Sequence, residues 1–281
     1  MNKQKRIMAI HDISCVGRCS LTVALPILSV LGFDTAVLPT ALLSTHTGGF
    51  ERFTYHDLTA EMLPITNHWE SLGLEFSALY SGFLGSLAQI DIVSTIFKRF
   101  RRDGTLVLVD PVMADNGVYY SGYNEAMAQG LRTLCSKADI ITPNLTEAVF
   151  LLGETYKADG YDKSYIENLL YRLADLGAQQ VVLTGISLSP GHIGTACYDA
   201  VSKNIYYSCS PQIEGIYPGT GDIFASTLLA ALLKGRTLST ACQLAQSYTY
   251  RCIKLTKERE LDPRYGVCFE LALPDLLQAM Q

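Results

Sequence analysis

The residues with the clearest chemical potential are Tyr217-Pro218-Gly219-Thr220-Gly221-Asp222, followed at once by the apolar run 223–233. Two glycines around a threonine allow a tight turn that turns consecutive backbone N–H groups outward. At the start of a helix these donors add to the positive end of the helix dipole and form an anion site. A carboxylate inside such a site competes with the anion that the donors attract. The conflict is resolved if Asp222 takes a proton from a hydroxyl while the N–H groups of Gly219, Thr220 and Gly221 hold the phosphoryl group that the hydroxyl attacks. The plainer alternative is an N-cap aspartate after an ordinary loop turn, since both are common.

The elements that must position this stretch follow from hydropathy. Short β-rich runs alternate with helical segments: strands are predicted at 6–10, 35–38, 78–81, 105–109, 139–141 and 181–183. Helices are predicted between them at 18–31 (bent by Pro26), 58–69, 90–102, 126–137, 146–152 and 166–176. Strand–helix alternation implies a mostly parallel central sheet with helices on both faces. Residues 194–198 and 204–209, joined by 199–203, read as a hairpin at the sheet edge. Helices then follow Gly219, run from about 239 to 255, and close the chain after Pro274. No repeat, low-complexity tract or linker interrupts the 281 residues, so a single α/β domain spanning 1–281 is expected.

In open parallel sheets ligands bind beyond the carboxyl ends of the strands, so the polar residues there carry the information. After the first strand come His11, Asp12, Ser14 and Cys15. After the second comes Ser44-Thr45-His46-Thr47-Gly48-Gly49, where His46 is either a contact or a satisfied buried histidine. Asp110-Pro111-Val112 and Asp115 follow the buried run 106–109. Here Asp110 or Asp115 could help hold Mg²⁺ through water. Asn144 and Glu147, after Thr142-Pro143, have the spacing of a capping box and equally suit a magnesium and phosphate site.

Composition sets the limits. Apolar residues make up 48% and charged residues 17%, which is ordinary for a folded enzyme. The net charge of -5 provides no general basic face for nucleic acid. The basic start at residues 2–6 precedes an apolar run that stops at His11-Asp12, too short for a signal peptide, and no apolar stretch reaches the roughly 20 residues of a membrane span. A cytoplasmic protein is expected. The eight cysteines form no Cys-x-x-Cys pair, which predicts reduced thiols rather than a disulfide framework or zinc site. P-loop, complete Gly-x-Gly-x-x-Gly and Gly-x-Ser-x-Gly motifs are absent.

The order Asp110-Pro111-Val112, Thr142-Pro143-Asn144-x-x-Glu147, Val182-Leu183-Thr184-Gly185 and Gly219-Thr220-Gly221-Asp222 resembles the ribokinase-like superfamily, and within it the vitamin kinases. Ser44-Thr45-His46-Thr47-Gly48 and Ser81-Gly82-Phe83 look like pyridoxal kinases. The resemblance implies a kinase without the large lid domain of sugar kinases, a homodimer, transferring the γ-phosphoryl of ATP to the 5′-hydroxymethyl group of pyridoxal, pyridoxine or pyridoxamine. It implies Asp222 as base and Gly219, Thr220 and Gly221 as anion hole. Asn144 and Glu147 would organise Mg²⁺ and phosphates, with Asp110 and Thr184 along the nucleotide. His46 belongs to the loop that points to a pyridine substrate, Thr47, Gly48 and Phe83 would line the ring pocket, and 111–123 would be a mobile cover. A monovalent cation is left open. The family usually carries a serine after the first strand; here Asp12 stands nearest and Ser14 two residues on, so both are candidates for the ring contact. Phe83 stands where tyrosine is frequent. The nearest alternative is a hydroxymethylpyrimidine or hydroxymethylpyrimidine phosphate kinase, and a remote one is a non-catalytic vitamin or nucleotide sensor.

Overall fold

A computed structural model describes residues 4–281; residues 1–3, which open the basic N-terminal stretch, lie outside the described residues. The chain runs β1 (Arg6–Val16), α1 (Leu21–Val30), β2 (Asp34–Thr45), β3 (Tyr55–Asp57), α2 (Thr59–Ser71), β4 (Ala78–Ser81), α3 (Leu87–Phe100) and β5 (Leu106–Val109). A two-stranded hairpin follows, β6 (Ala114–Asp115) and β7 (Val118–Tyr119), then α4 (Glu125–Cys135), β8 (Ile140–Ile141), α5 (Leu145–Leu151), α6 (Lys163–Ala174) and β9 (Gln180–Ile186). The last part is β10 (His192–Asp199), β11 (Asn204–Pro211), α7 (Thr220–Leu233), α8 (Leu238–Glu258), two 3-10 turns (Pro263–Tyr265 and Glu270–Ala272) and α9 (Leu273–Ala279).

Nine strands form one sheet in the order β11-β10-β9-β8-β5-β4-β1-β2-β3. The pairs from β2 through β9 across the centre are parallel, and β3, β10 and β11 add antiparallel edges. Each parallel strand shows the two-residue alternation that separates two cores. Met8, Ile10, Leu79, Val107 and Val109 pack with α2 to α6, whereas Ile7, Tyr80, Leu108 and Val182 pack with α1, α7, α8 and α9. This is the expected mostly parallel α/β sheet with helices on both faces, and the predicted hairpin at 194–209 is β10 and β11. Strand order changes direction at β1, between β4 and β2, and that crevice is where a ligand is expected.

Three expectations are corrected. The first strand was expected to end at Ile10, but β1 continues to Val16 and carries His11, Asp12 and Ser14 inside the sheet rather than in a loop. Likewise β2 continues to Thr45 rather than Leu38. The register between them shifts from His11↔Pro39 to Ile13↔Leu42, so β2 holds one extra residue opposite Asp12. Pro39 has no N–H to give the ladder, which suits the irregularity. The region 111–123, expected to be a loop, contains the β6–β7 hairpin. Its turn residues Asn116 and Gly117 both have positive φ (49° and 78°), the pattern of a two-residue hairpin turn.

Candidate active site

Asp222 lies in the first turn of α7, whose N-cap Gly219 has the left-handed φ of 79°. A Cβ built on Gly219 would lie 2.1 Å from the carbonyl oxygen of Arg18, so glycine is required both by conformation and by space. The N–H groups of the first turn have no intrahelical acceptor and point along the positive end of the dipole. Thr220 anchors the turn by donating its hydroxyl to the carbonyl of Tyr217 at 3.0 Å. The carboxylate of Asp222 is held from the other side by the chain entering α1. Ser20 N–H donates to Oδ2 at 2.7 Å, and the Cys19 thiol stands 3.6 Å from the same oxygen. Ser20 adopts φ 54°, ψ -126°, an uncommon backbone for a residue with a side chain, and that turn aims its N–H at Asp222.

Asp222 is buried, and burial pushes its carboxyl up to about 7, helped by the charge of Asp12 and opposed by the Ser20 N–H. The group therefore changes charge near neutrality, as a general base should. Asp12 is also buried and raised, mainly by desolvation, and accepts the Ser14 hydroxyl at 3.3 Å. Asp110 closes the other side of the turn: a Cβ on Gly221 would lie 3.8 Å from its Oδ2. Burial pushes the Asp110 carboxyl up to about 8, and the charge of Asp222 adds to the rise.

Asn144 and Glu147 form a reciprocal capping box at the start of α5. Glu147 accepts N–H groups from Met113 (3.0 Å) and Asn144 (2.9 Å), and the Asn144 side-chain amide donates to the carbonyl of Ala114 at 2.8 Å. Both residues thus fasten the segment after β5, and the Thr146 hydroxyl adds a bond from Gly117 N–H at 3.0 Å. Thr184 joins them through its N–H on the carbonyl of Pro143 at 2.9 Å. Glu147 is buried and raised, by desolvation first and then by Asp110. Among the described residues no three His, Cys, Asp or Glu side chains are grouped to hold a metal ion unaided. Two buried acids, Asp110 after β5 and Glu147 at the start of α5, nevertheless match an ion that keeps its waters and binds together with phosphates, so Mg²⁺ fits the donor set of Asp110 and Glu147. Asp115 is engaged in its own hairpin turn: its two carboxylate oxygens accept from Asn116, one from the backbone N–H at 2.9 Å and the other from the side-chain amide at 3.1 Å.

The ring-pocket candidates divide. Phe83 packs edge-on to Tyr123 at 5.8 Å between centroids, and the Tyr123 hydroxyl is fixed on the carbonyl of Leu84 at 2.7 Å. His46 is buried, and both of its nitrogens are engaged: Nδ1 accepts Gly48 N–H at 3.1 Å and Nε2 bonds the carbonyl of Arg264 at 2.6 Å. It ties its loop to the C-terminal segment, reinforced by Phe50 against Tyr265. That leaves Thr47 exposed and Gly48 beside the turn, where a Cβ would lie 3.9 Å from Pro218 Cγ. Ser20, Cys19, Tyr123 and Arg264 were missed by the sequence reading. The Asn116-Gly117 pair could have revealed the hairpin; nothing in the sequence marks the backbone of Ser20.

A helix start with free N–H groups and a buried acid poised near 7, beyond the strand ends of a parallel sheet, fits a small-molecule kinase of the ribokinase-like class. The chain belongs to the phosphomethylpyrimidine kinase family, whose model matches residues 30–266. It is similar to a Bacteroides thetaiotaomicron protein provisionally called a phosphomethylpyrimidine kinase and crystallised with pyridoxal, at 40% identity and a TM-score of 0.94, covering 98% of this chain and 96% of that one. Pyridoxal kinase from Lactobacillus plantarum matches at 30% identity and a TM-score of 0.90, with 98% of both chains covered. A hydroxymethylpyrimidine/phosphomethylpyrimidine kinase from Aquifex aeolicus is 28% identical over 66% of this chain and 73% of its own length.

Proposed function

We propose that this chain transfers the γ-phosphoryl group of ATP to the 5′-hydroxymethyl group of pyridoxal, pyridoxine or pyridoxamine. The observation that carries the reading is Asp222 itself. One carboxylate oxygen is fixed by Ser20 N–H, and the carboxyl, poised near 7, sits in the turn whose N–H groups would receive the phosphoryl oxygens. Asp222 takes the hydroxyl proton as the oxygen attacks phosphorus, and Gly219, Thr220 and Gly221 hold the charge that builds on the transferred group. Asp110 and Glu147, with Asp115 beside them, would hold Mg²⁺, which would supply positive charge against the phosphates. Thr184 and Asn144 lie along the nucleotide. Phe83, Thr47, Gly48 and either Asp12 or Ser14 face the pyridine ring, and His46 shapes their loop.

The choice of substrate is supported by the pyridoxal found with the Bacteroides relative and by the identity to the Lactobacillus enzyme. The whole chain acts as one kinase domain in a homodimer, for which the exposed Val16, Leu42 and Tyr55 on β1, β2 and β3 offer apolar surface. Among the described residues no helix is long and apolar enough to cross a membrane. All eight cysteines are free, which suits a reducing cytoplasm.

The test is phosphorylation of pyridoxal, pyridoxine, pyridoxamine and hydroxymethylpyrimidine side by side with ATP and Mg²⁺. A B6 form is expected to lead in kcat/KM by about tenfold or more, equivalent to about 1.4 kcal/mol of transition-state discrimination. A clear preference for the pyrimidine would replace the substrate and leave the role of Asp222 standing.

A further inference from the structure

Beside the reacting end, one buried side chain has no hydrogen-bond partner for either of its polar atoms. His11, on β1, is fully buried, and among the described residues neither Nδ1 nor Nε2 has a hydrogen-bond partner. Its ring packs edge-on to Tyr80, with centroids 4.4 Å apart and planes at 77°. On its other side lies Gly82, where a Cβ would come within 2.4 Å of Nδ1 and 2.5 Å of Cε1. The ring therefore fills the space that any side chain at position 82 would need. Nδ1 stands 4.0 Å from Asp222 Oδ1, the carboxylate oxygen that Ser20 does not hold.

An unpaired buried N–H costs about 1–3 kcal/mol, so an apolar residue would suit a position used only for packing. Burial also keeps the ring neutral, with its pKa lowered to about 3, so His11 is neither a base nor a cation at neutral pH. A neutral imidazole can nevertheless donate one hydrogen bond. Of the charged and titratable groups around Asp222, the carboxyls of Asp12 on β1 and Asp110 after β5 are raised by burial, Cys19 and Tyr80 are held protonated by burial, and the Cys19 thiol faces the other oxygen, Oδ2. The 4.0 Å separation is about 1 Å beyond a hydrogen bond, and such contacts commonly tighten when substrate binds.

We infer that His11 is a positioning residue for Asp222: with both substrates bound, Nδ1–H donates to Oδ1 and fixes the rotation of the carboxylate toward the acceptor hydroxyl. The inference rests on the reading of Asp222 as the base.

The experiment combines kinetics with ¹⁵N NMR of histidine-labelled protein carrying pyridoxine, Mg²⁺ and a non-hydrolysable ATP analogue. His11→Leu is expected to lose about 10- to 100-fold in kcat, the worth of one hydrogen bond to a charged group, with KM for ATP and vitamin within about threefold. His11→Asn, whose side-chain amide can stand where Nδ1 does, should restore kcat to within about threefold of wild type. The wild-type ring should carry its proton on Nδ1. Unchanged kcat in His11→Leu, a loss confined to KM, or a proton on Nε2 in the complex would each overturn the inference. The NMR result decides the matter on wild-type protein even if the leucine variant fails to fold. Wild-type kcat in Asp222→Asn would instead overturn the reading of Asp222, and this inference with it.

Discussion

In its proposed role Asp222 has to be buried to act in a dry site and charged to act as a base, and these demands oppose each other. The N–H of Ser20 and the helix dipole favour the carboxylate, while desolvation and Asp12 favour the acid, leaving the group near 7. Activity is therefore expected to rise with pH through about 7 and then level off. Asp222→Asn should lower kcat by about 10²–10⁴-fold while ATP still binds, because only proton removal is lost. The same group affects folding. Unfolded aspartate releases its proton near pH 4, so between about pH 4 and 7 the folded chain holds a proton that the unfolded chain has lost. Stability from this source therefore falls as pH climbs through that window and is fully lost above it. In thermal melts of nucleotide-free protein, Asp222→Asn should flatten this fall and melt higher than wild type at about pH 8.

At the scale of elements, the junction between Arg18 and α7 shapes the proposed anion hole. Gly219→Ala would force a side chain against the Arg18 carbonyl and into a left-handed backbone, so a loss of about 1–3 kcal/mol of stability and most of kcat is expected from denaturation curves and turnover assays. Glu147→Ala would free the N–H groups of Met113 and Asn144. It should cost a similar amount and raise KM for ATP more than it lowers kcat, because the segment after β5 loses its fastening. These elements also show what a sequence reader can reach. Central strands such as 106–109 and the Asn144-x-x-Glu147 cap were legible because their signals are local, a run of apolar residues or a fixed spacing. The extension of β1 through His11-Asp12-Ile13-Ser14 was not legible, because these residues are held in the strand by pairing with β2 and by the bridge from Ile13 to Ser20, and tertiary context overrides local polarity. For the same reason the roles of Ser20 and Cys19 could not be read: their placement depends on residue 222, two hundred positions away.

At the scale of the molecule, the sheet is common property of two cores. Leu79 faces one and Tyr80 the other, so neither half can come apart without stripping the strands of one wall. Leu170→Ala on one side and Leu228→Ala on the other should each cost about 2–5 kcal/mol. Both should shift a single cooperative transition, seen alike by calorimetry and by circular dichroism, rather than split it. A split transition would speak against the single-domain reading.

The clasp of Arg264 and Tyr265 on His46, Phe50 and Arg18 also sets a timetable for biosynthesis. Every other part of the site lies earlier in the chain, from His11 to Asp222, so the ribosome delivers the fastening of the substrate loop after all the chemistry it serves. A nascent chain halted near residue 255 carries the proposed base, the proposed anion hole and the capping box, yet its loop at 46–50 lacks the contacts of Arg264 and Tyr265. Fastening of that loop is therefore expected late in folding, when Arg264 and Tyr265 pack back on His46, Phe50 and Arg18.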